Sequence, residues 1–320
     1  MSNWQPCASP GILRDRAELL ATIRQFFAER QVLEVDTPVL ASAANPDAAI
    51  ESLASHLKGS PHNEPFFLQT SPEFFMKRLL CAGSGSIYQL CHVFRDDELG
   101  RYHNPEFTML EWYRTGFDMF GLIEEVETLM GLLIPAIEAP ATRISYHALF
   151  EQATGLDLRA ASRGDIRKLA ADLGIVVSPQ HPDDGLVEMI FNTATLPWME
   201  QQPAVVVHHF PASQASLAKL SPDDPAVALR FEYYAGGVEL ANGFQELDDP
   251  IEQRRRFESE NARRRERGVR AMPIDEQLIA ALEHGMPACS GVAAGIDRIL
   301  MIRNSQPDIA SVMAFPFAHA

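Results

Sequence analysis

Glu232, Glu239 and Glu246 recur seven residues apart in the apolar stretch RFEYYAGGVELANGFQEL, which runs from Arg230 to Leu247. If Ala235-Gly236 forms the two-residue turn of a hairpin, Glu232 lies directly opposite Glu239. Like charges across one rung are destabilising unless one is protonated or a cation lies between them, and a hard divalent ion bound by carboxylate oxygens meets that need. Magnesium usually arrives with substrate phosphates, so the pair points to a nucleotide. The other reading is an edge hairpin with both carboxylates turned to solvent.

A second set lies on EFTMLEWYR, where Phe107, Met109, Glu111 and Tyr113 alternate onto one strand face. If that face lines a pocket, Glu111 suits a ligand ammonium and Phe107 a flat ring; if it faces outward, Glu111 is merely solvated. Arg95 ends the facing strand SIYQLCHVFR, where a guanidinium could clamp a phosphate or serve structure. GVAAGIDR, Gly291 to Arg298, lacks the strand-turn-helix setting of a dinucleotide fingerprint. Its glycines could admit a ligand to the backbone, with Arg298 toward phosphate, or could mark a closely packed turn. His208 and His209 are adjacent on a strand and are read as facing opposite ways, which makes them structural.

The elements that must position these residues belong to a globular chain of 320 residues, 46% hydrophobic and 22% charged. No apolar run approaches the ~20 residues of a membrane span, and no signal peptide opens the sequence, so a cytoplasmic protein with no membrane partner is expected. Cys7, Cys81, Cys91 and Cys289 form no metal-ligand spacing and read as reduced and structural. The net charge of -16 argues against a large nucleic-acid footprint. The basic run Arg254 to Arg270 is interrupted by glutamates and reads as a solvated helix face.

Apolar spacing predicts a helix over Leu19 to Phe27 and a short strand over Val32 to Val35. A helix is expected from about Pro72, with Ser71 as N-cap and Gly83 as its stop. Ser86 to Arg95 and Glu106 to Arg114 form a long hairpin, and about 118–202 is mostly helical. PAVVVHHFP returns to strand, and GVAAG reads as a glycine-rich turn leading into a helix. Antiparallel hairpins with helices outside place the chain in the α+β class.

Taken together, VLEVDTPVL, FRDDELGRYHNPEFTMLEWY and GVAAGIDR resemble the three signature motifs of class II aminoacyl-tRNA synthetases, most closely the lysyl-tRNA synthetase catalytic domain. The resemblance covers about residues 12–317 and implies an antiparallel sheet flanked by helices in a single catalytic domain, residues 1–320. With motif 1 beginning near residue 32, no N-terminal anticodon-reading OB-fold is expected. A synthetase of that kind, with FPASQASLA (Phe210 to Ala218) and GMPACSGVA (Gly285 to Ala293), looks like the elongation factor P-lysine ligases. In that family (R)-beta-lysine is the preferred donor and a lysine of elongation factor P the acceptor.

The resemblance implies ATP as co-substrate, magnesium, a homodimer with Pro38 of motif 1 at its interface, and no tRNA partner. By matching position, Arg95 contacts the ATP α-phosphate, Phe107 stacks on adenine, and Arg298 holds the terminal phosphates with Gly295 near the nucleotide. Asp96, Asp97 and Leu240 join the ATP set, Asp97 standing where motif 2 usually has glutamate, with Glu98 as a substitute. Glu232 and Glu239 match the magnesium-binding glutamates. Ser71, Pro72 and Glu73 match the substrate-binding SPE segment, while Glu111, Tyr113 and Glu246 match the residues around the donor ammonium. Ala293 stands where the tRNA synthetase has glycine, which implies a reshaped amino-acid pocket. The alternatives are a truncated enzyme that charges tRNA and a non-catalytic synthetase-like binding module.

Overall fold

Ser9 accepts a hydrogen bond from Ile12 N at 3.3 Å and Pro10 follows it, so helix α1 (Pro10–Glu29) begins at a capped, proline-tolerant turn. Its buried stripe is Leu19, Ile23, Phe26 and Phe27, and Phe27 stacks on Tyr88 with ring centroids 4.4 Å apart. The computed structural model describes all residues except 1–3, 59–64, 97, 138–139 and 179–182. The chain divides into two units, Met1–Pro135 with Gln245–Ala320, and Ala136–Phe244.

The first unit continues through β1 (Leu33–Glu34), β2 (Leu40–Ala41), β3 (Ala54–Ser55), β4 (Phe66–Leu68), α2 (Glu73–Cys81), β5 (Ile87–Phe94), β6 (Glu106–Thr115) and α3 (Met119–Leu133). β5 and β6 form the expected antiparallel hairpin, in register from Ile87 opposite Tyr113 to Phe94 opposite Glu106. β1 runs parallel to β5, and β2, β4 and β3 make a small separate antiparallel sheet. Helix α2 starts one position later than expected: Pro72 occupies its N-cap, and Ser71 Oγ accepts from Glu73 N at 3.0 Å.

The second unit holds β7 (Thr142–Ser145), α4 (Tyr146–Thr154), α5 (Arg163–Asp172), α6 (Asp183–Met199), β8 (Val205–Pro211), β9 (Val227–Ala235) and most of β10 (Val238–Gln245). β7 runs parallel to β8, while β8, β9 and β10 are antiparallel neighbours. Tyr146, Phe150, Phe191 and Phe210 lie in its core, with Tyr146 stacked on Phe191 at 3.9 Å. The two histidines do not alternate as read from sequence. His209 takes φ +57° at a β-bulge, and this turns its ring back so that the two Nδ1 atoms meet at 2.6 Å.

The chain returns to the first unit with α7 (Pro250–Glu266), α8 (Glu276–His284), β11 (Cys289–Gly295) and α9 (Ile296–Arg303). GVAAG is therefore strand rather than turn, because Gly291 lies opposite Tyr113, where a Cβ would come within 2.4 Å of the tyrosine ring. β11 pairs antiparallel with β6. On α7, Arg255 and Arg256 pair with Glu252, and Arg263 with Glu260, as a solvated face would have them. Arg264 departs from that reading: it is fully buried and donates to the carbonyls of Asp47, Ile50 and Arg270 and to Glu51. Mostly antiparallel strands flanked by helices in both units bear out the α+β class.

Candidate active site

Cross-strand partners share a sheet face, so the β6 face carrying Phe107, Met109, Glu111 and Tyr113 also carries Gly295, Ala293 and Gly291 of β11. Glu111 is 3% exposed, which rules out the solvated reading of that face. Tyr113 donates its hydroxyl to Glu111 Oε1 at 2.6 Å, and Ser71 donates to Oε2 at 2.9 Å. Burial pushes the Glu111 carboxyl up to about 8, with the charge of Glu73 adding to the rise and the Tyr113 and Ser71 hydrogen bonds opposing it.

Glu246 is brought to this face by its own backbone, whose N–H donates to Cys289 O at 3.1 Å. Its carboxylate takes the Gly291 N–H and sits 2.6 Å from the ammonium of Lys77. Lys77 Nζ lies equally close, 2.6 Å, to Glu73 Oε1 one helical turn earlier. Both are ion pairs by distance, with approaches off the axis of a directed hydrogen bond. Burial would lower the Lys77 pKa, but Glu246 and Glu73 outweigh it and raise it, so the side chain is a cation. Burial pushes Glu246 up to about 7 against the pull of Lys77. Ser71, Glu73, Glu111, Tyr113, Glu246 and Ala293 thus come together as the resemblance implies.

A cavity of about 30 Å³ opens beside Ser71 and Glu73, lined also by Asn45, Ser52, Gln69 and Asp275. Ser52 Oγ and Gln69 Oε1 are buried without a hydrogen-bond partner among the described residues, which marks a place for a polar group.

Arg95 follows the last residue of β5, and its guanidinium carbon stands 5.2 Å from the centre of the Phe107 ring. Its Nε donates to Thr70 O at 3.4 Å, and Nη1 meets Glu98, the residue read as a substitute for the motif 2 glutamate, at 3.5 Å. Asp96 donates its backbone N–H to Glu51 O at 2.9 Å. Asp97 lies outside the described residues. Gly295 stands at the N-cap of α9, and Arg298 Nε donates to Tyr102 O at 3.1 Å while Nη2 meets His103 Nε2 at 2.7 Å. Arg298 therefore reaches back to the motif 2 loop.

In the second unit the hairpin corrects the pairing expected of Glu232 and Glu239. Gly236 and Gly237 have φ +55° and +77°, so they form the turn, because a primed turn needs left-handed backbone at both central positions. Glu239 consequently faces Tyr234, and a bulge after it sets Asn242 opposite Glu232. Leu240 is buried at that bulge. Glu232 and Glu239 still share a face, as diagonal neighbours, with Arg230 on the same face. Arg230 and Tyr234 both donate to Glu232, and Glu239 adds to the field that raises the Arg230 pKa. The cation beside these acids is thus a guanidinium.

Besides Arg230, two groups of the first unit escaped the sequence reading. Lys77 is one; Asp297 is the other, a buried carboxylate that accepts from Arg16 at 2.6 Å and from Thr108 N at 2.7 Å, tying motif 3 to motif 2. The Glu73–Lys77 spacing of four residues on a helix was the available signal for the first; nothing local marks the second.

Residues 8–319 match the family described as tRNA synthetases class II (D, K and N). Proteins named elongation factor P–(R)-beta-lysine ligase are similar over nearly their whole length. The one from Vibrio cholerae is 47% identical over 100% of this chain and 99% of its own. That from Edwardsiella ictaluri is 47% identical over 98% of each, and that from Klebsiella pneumoniae 44% over 98% and 97%. With the motif residues gathered on these strands, the chain belongs to the class II tRNA synthetase family of the D, K and N type, on the branch of the elongation factor P–(R)-beta-lysine ligases.

Proposed function

We propose that this protein is an ATP-dependent ligase that activates (R)-beta-lysine as its adenylate and passes the beta-lysyl group to a lysine side chain of elongation factor P. The carrying observation is the buried cluster of Glu73, Glu111 and Glu246 around a single buried cation, Lys77. An acidic pocket of that depth, with three carboxylates and one ammonium, suits a donor bearing ammonium groups. The names of its relatives supply the identity of donor and acceptor.

In the first step a donor carboxylate oxygen bonds to the α-phosphorus of ATP as the bridging oxygen departs with pyrophosphate. In the second, the acceptor nitrogen attacks the activated carbonyl, loses its proton and displaces AMP. Neither step needs an enzyme nucleophile; alignment and charge stabilisation carry the rate. Arg95 holds the α-phosphate with Phe107 against adenine, the 5.2 Å guanidinium–ring distance supporting a shared nucleotide face. Arg298, anchored through Tyr102 and His103, receives the terminal phosphates, with Gly295 and Asp96 completing the nucleotide set of the first unit. Ser71, Pro72, Glu73, Glu111, Tyr113, Glu246 and Ala293 form the donor subsite.

Glu232 and Glu239 are the carboxylates that would hold magnesium: two hard oxygen donors on one hairpin face fit an ion that takes its other ligands from phosphates, in competition with Arg230. Magnesium bound there would neutralise phosphate charge. The two units serve one catalytic domain, as the family match over 8–319 supports. Leu33, Pro38 and Val39 are exposed on the motif 1 segment and suit a second copy of the chain, hence a homodimer. The net charge of -16 supports a protein acceptor over tRNA. Among the described residues no helix is long and apolar enough to cross a membrane; work in the cytoplasm is part of the same proposal.

Intact-mass measurement of elongation factor P after incubation with enzyme, ATP and each lysine isomer tests the reading. Gain of one lysyl unit, fastest with the (R)-beta isomer, is the expected result; unmodified protein beside aminoacylated tRNA would reverse it.

A further inference from the structure

Lys77 is 1% exposed, sits at the floor of the acidic cluster and has no place in the chemistry described so far. Its ammonium is shared by Glu73 and Glu246 at 2.6 Å each, while Glu111 is held separately by the neutral hydroxyls of Tyr113 and Ser71. With every group ionised, three carboxylates and one ammonium leave two negative charges. A beta-lysine donor carries two ammonium groups beside the carboxylate that reacts.

We infer that Lys77 is a positioning residue that sets the donor subsite's charge: it neutralises Glu246 as an internal pair and leaves Glu73 and Glu111 to meet a donor with two ammonium groups. The inference rests on the proposal that the donor is a diamino acid. Geometry supports the division of labour. Glu246 is spent on Lys77 and the Gly291 N–H, with its side chain 1% exposed, whereas Glu111 is held, among the described residues, by the uncharged hydroxyls of Tyr113 and Ser71. Helix α2 carries both Glu73 and Lys77, so one turn of helix fixes a reading carboxylate relative to its counter-ion.

The two single substitutions push the count in opposite directions. Lys77→Met raises the subsite to three negative charges, and Glu246→Gln lowers it to one. Lys77→Met/Glu246→Gln returns it to two with no charge left buried and unpaired at that pair. Pyrophosphate–ATP exchange dependent on (R)-beta-lysine reads the donor KM, the ATP KM and kcat for wild type, both singles and the double, with thermal unfolding recorded for each. Each single is expected to raise the donor KM by about tenfold or more, the loss typical of a charged hydrogen-bond partner, with the ATP KM unchanged. The double should recover most of that loss, and Lys77→Arg should be milder than Lys77→Met.

A double variant at least as impaired in donor KM as the worse single, while folded, overturns the inference and makes Lys77 a packing and stability residue. An unchanged donor KM in Lys77→Met overturns it equally. If wild type shows no exchange with any diamino acid, the proposed function falls first and the inference with it, so the two failures are told apart by the wild-type arm.

Discussion

Tyr113 donates its hydroxyl to Glu111 Oε1 across 2.6 Å, from a position two residues along the same strand face. A neutral donor stabilises a carboxylate less than an ion pair does, so burial prevails and the Glu111 carboxyl rises to about 8. Below that value the group carries a proton that must leave when an ammonium binds beside it. Donor affinity should therefore climb with pH up to about 8, by no more than about tenfold per pH unit, and then level off. Calorimetry in buffers of different ionisation enthalpy should record proton release on donor binding near neutrality. Tyr113→Phe removes a bond that holds the pKa down and should move the plateau to higher pH; a pH-independent donor affinity in wild type contradicts the assignment.

The same proton links to stability with a definite sign. The folded pKa of Glu111 stands above its ordinary 4.5, so between 4.5 and about 8 the native state holds more protons than the unfolded chain. That contribution to stability falls as pH rises through the window, with a limiting slope of about 1.4 kcal/mol per pH unit for one proton. Denaturant unfolding of the ligand-free protein should show Glu111→Gln gaining on wild type as pH increases across that range. Parallel curves for the two proteins would assign the raised pKa elsewhere.

Gly291 is where the pocket tolerates no side chain. A Cβ there would stand 2.4 Å from both Glu246 Oε1 and Tyr113 Cε1. Tyr113 is 2% exposed and cannot swing away, so Gly291→Ala must displace the ring or the carboxylate. Overpacking of this kind costs about 1–3 kcal/mol. Donor KM should rise strongly while ATP binding, measured separately by calorimetry, stays near wild type; equal losses in both would show a general collapse.

How far the sequence led differs from residue to residue. Glu111 and Tyr113 were legible because strand alternation is strict, and β5–β6 keeps one register from Ile87 to Phe94. Whether their face was wet or dry was not legible, because that depends on α2 and β11 arriving from distant parts of the chain. Lys77 drew no reading at all, since no local pattern announces that Glu246, far along the sequence, will pair with it. Asp297 is similar: its partners Arg16 and Thr108 lie 281 and 189 residues away. Arg264 was misread as solvated for the opposite reason, being hidden among arginines that do face water.

The hairpin register failed on a finer point, and that point can be measured. Ala235-Gly236 and Gly236-Gly237 both satisfy a two-residue loop, but φ is positive at 236 and 237, and only the glycine pair accepts that without strain. The two glycines differ in their surroundings. A Cβ on Gly236 meets nothing within 4 Å, whereas one on Gly237 would lie 2.8 Å from Glu200 Cγ and 3.0 Å from Leu196 Cδ1. Gly236→Ala should cost only the left-handed backbone penalty, about 1–2 kcal/mol. Gly237→Ala adds the displacement of two side chains and should cost about 1–3 kcal/mol more. Urea unfolding of both variants checks the order, and because Glu239 sits two residues beyond Gly237, the magnesium dependence of pyrophosphate exchange should weaken in Gly237→Ala first. Equal destabilisation by the two substitutions would show that the α6 contact does not hold the turn in solution.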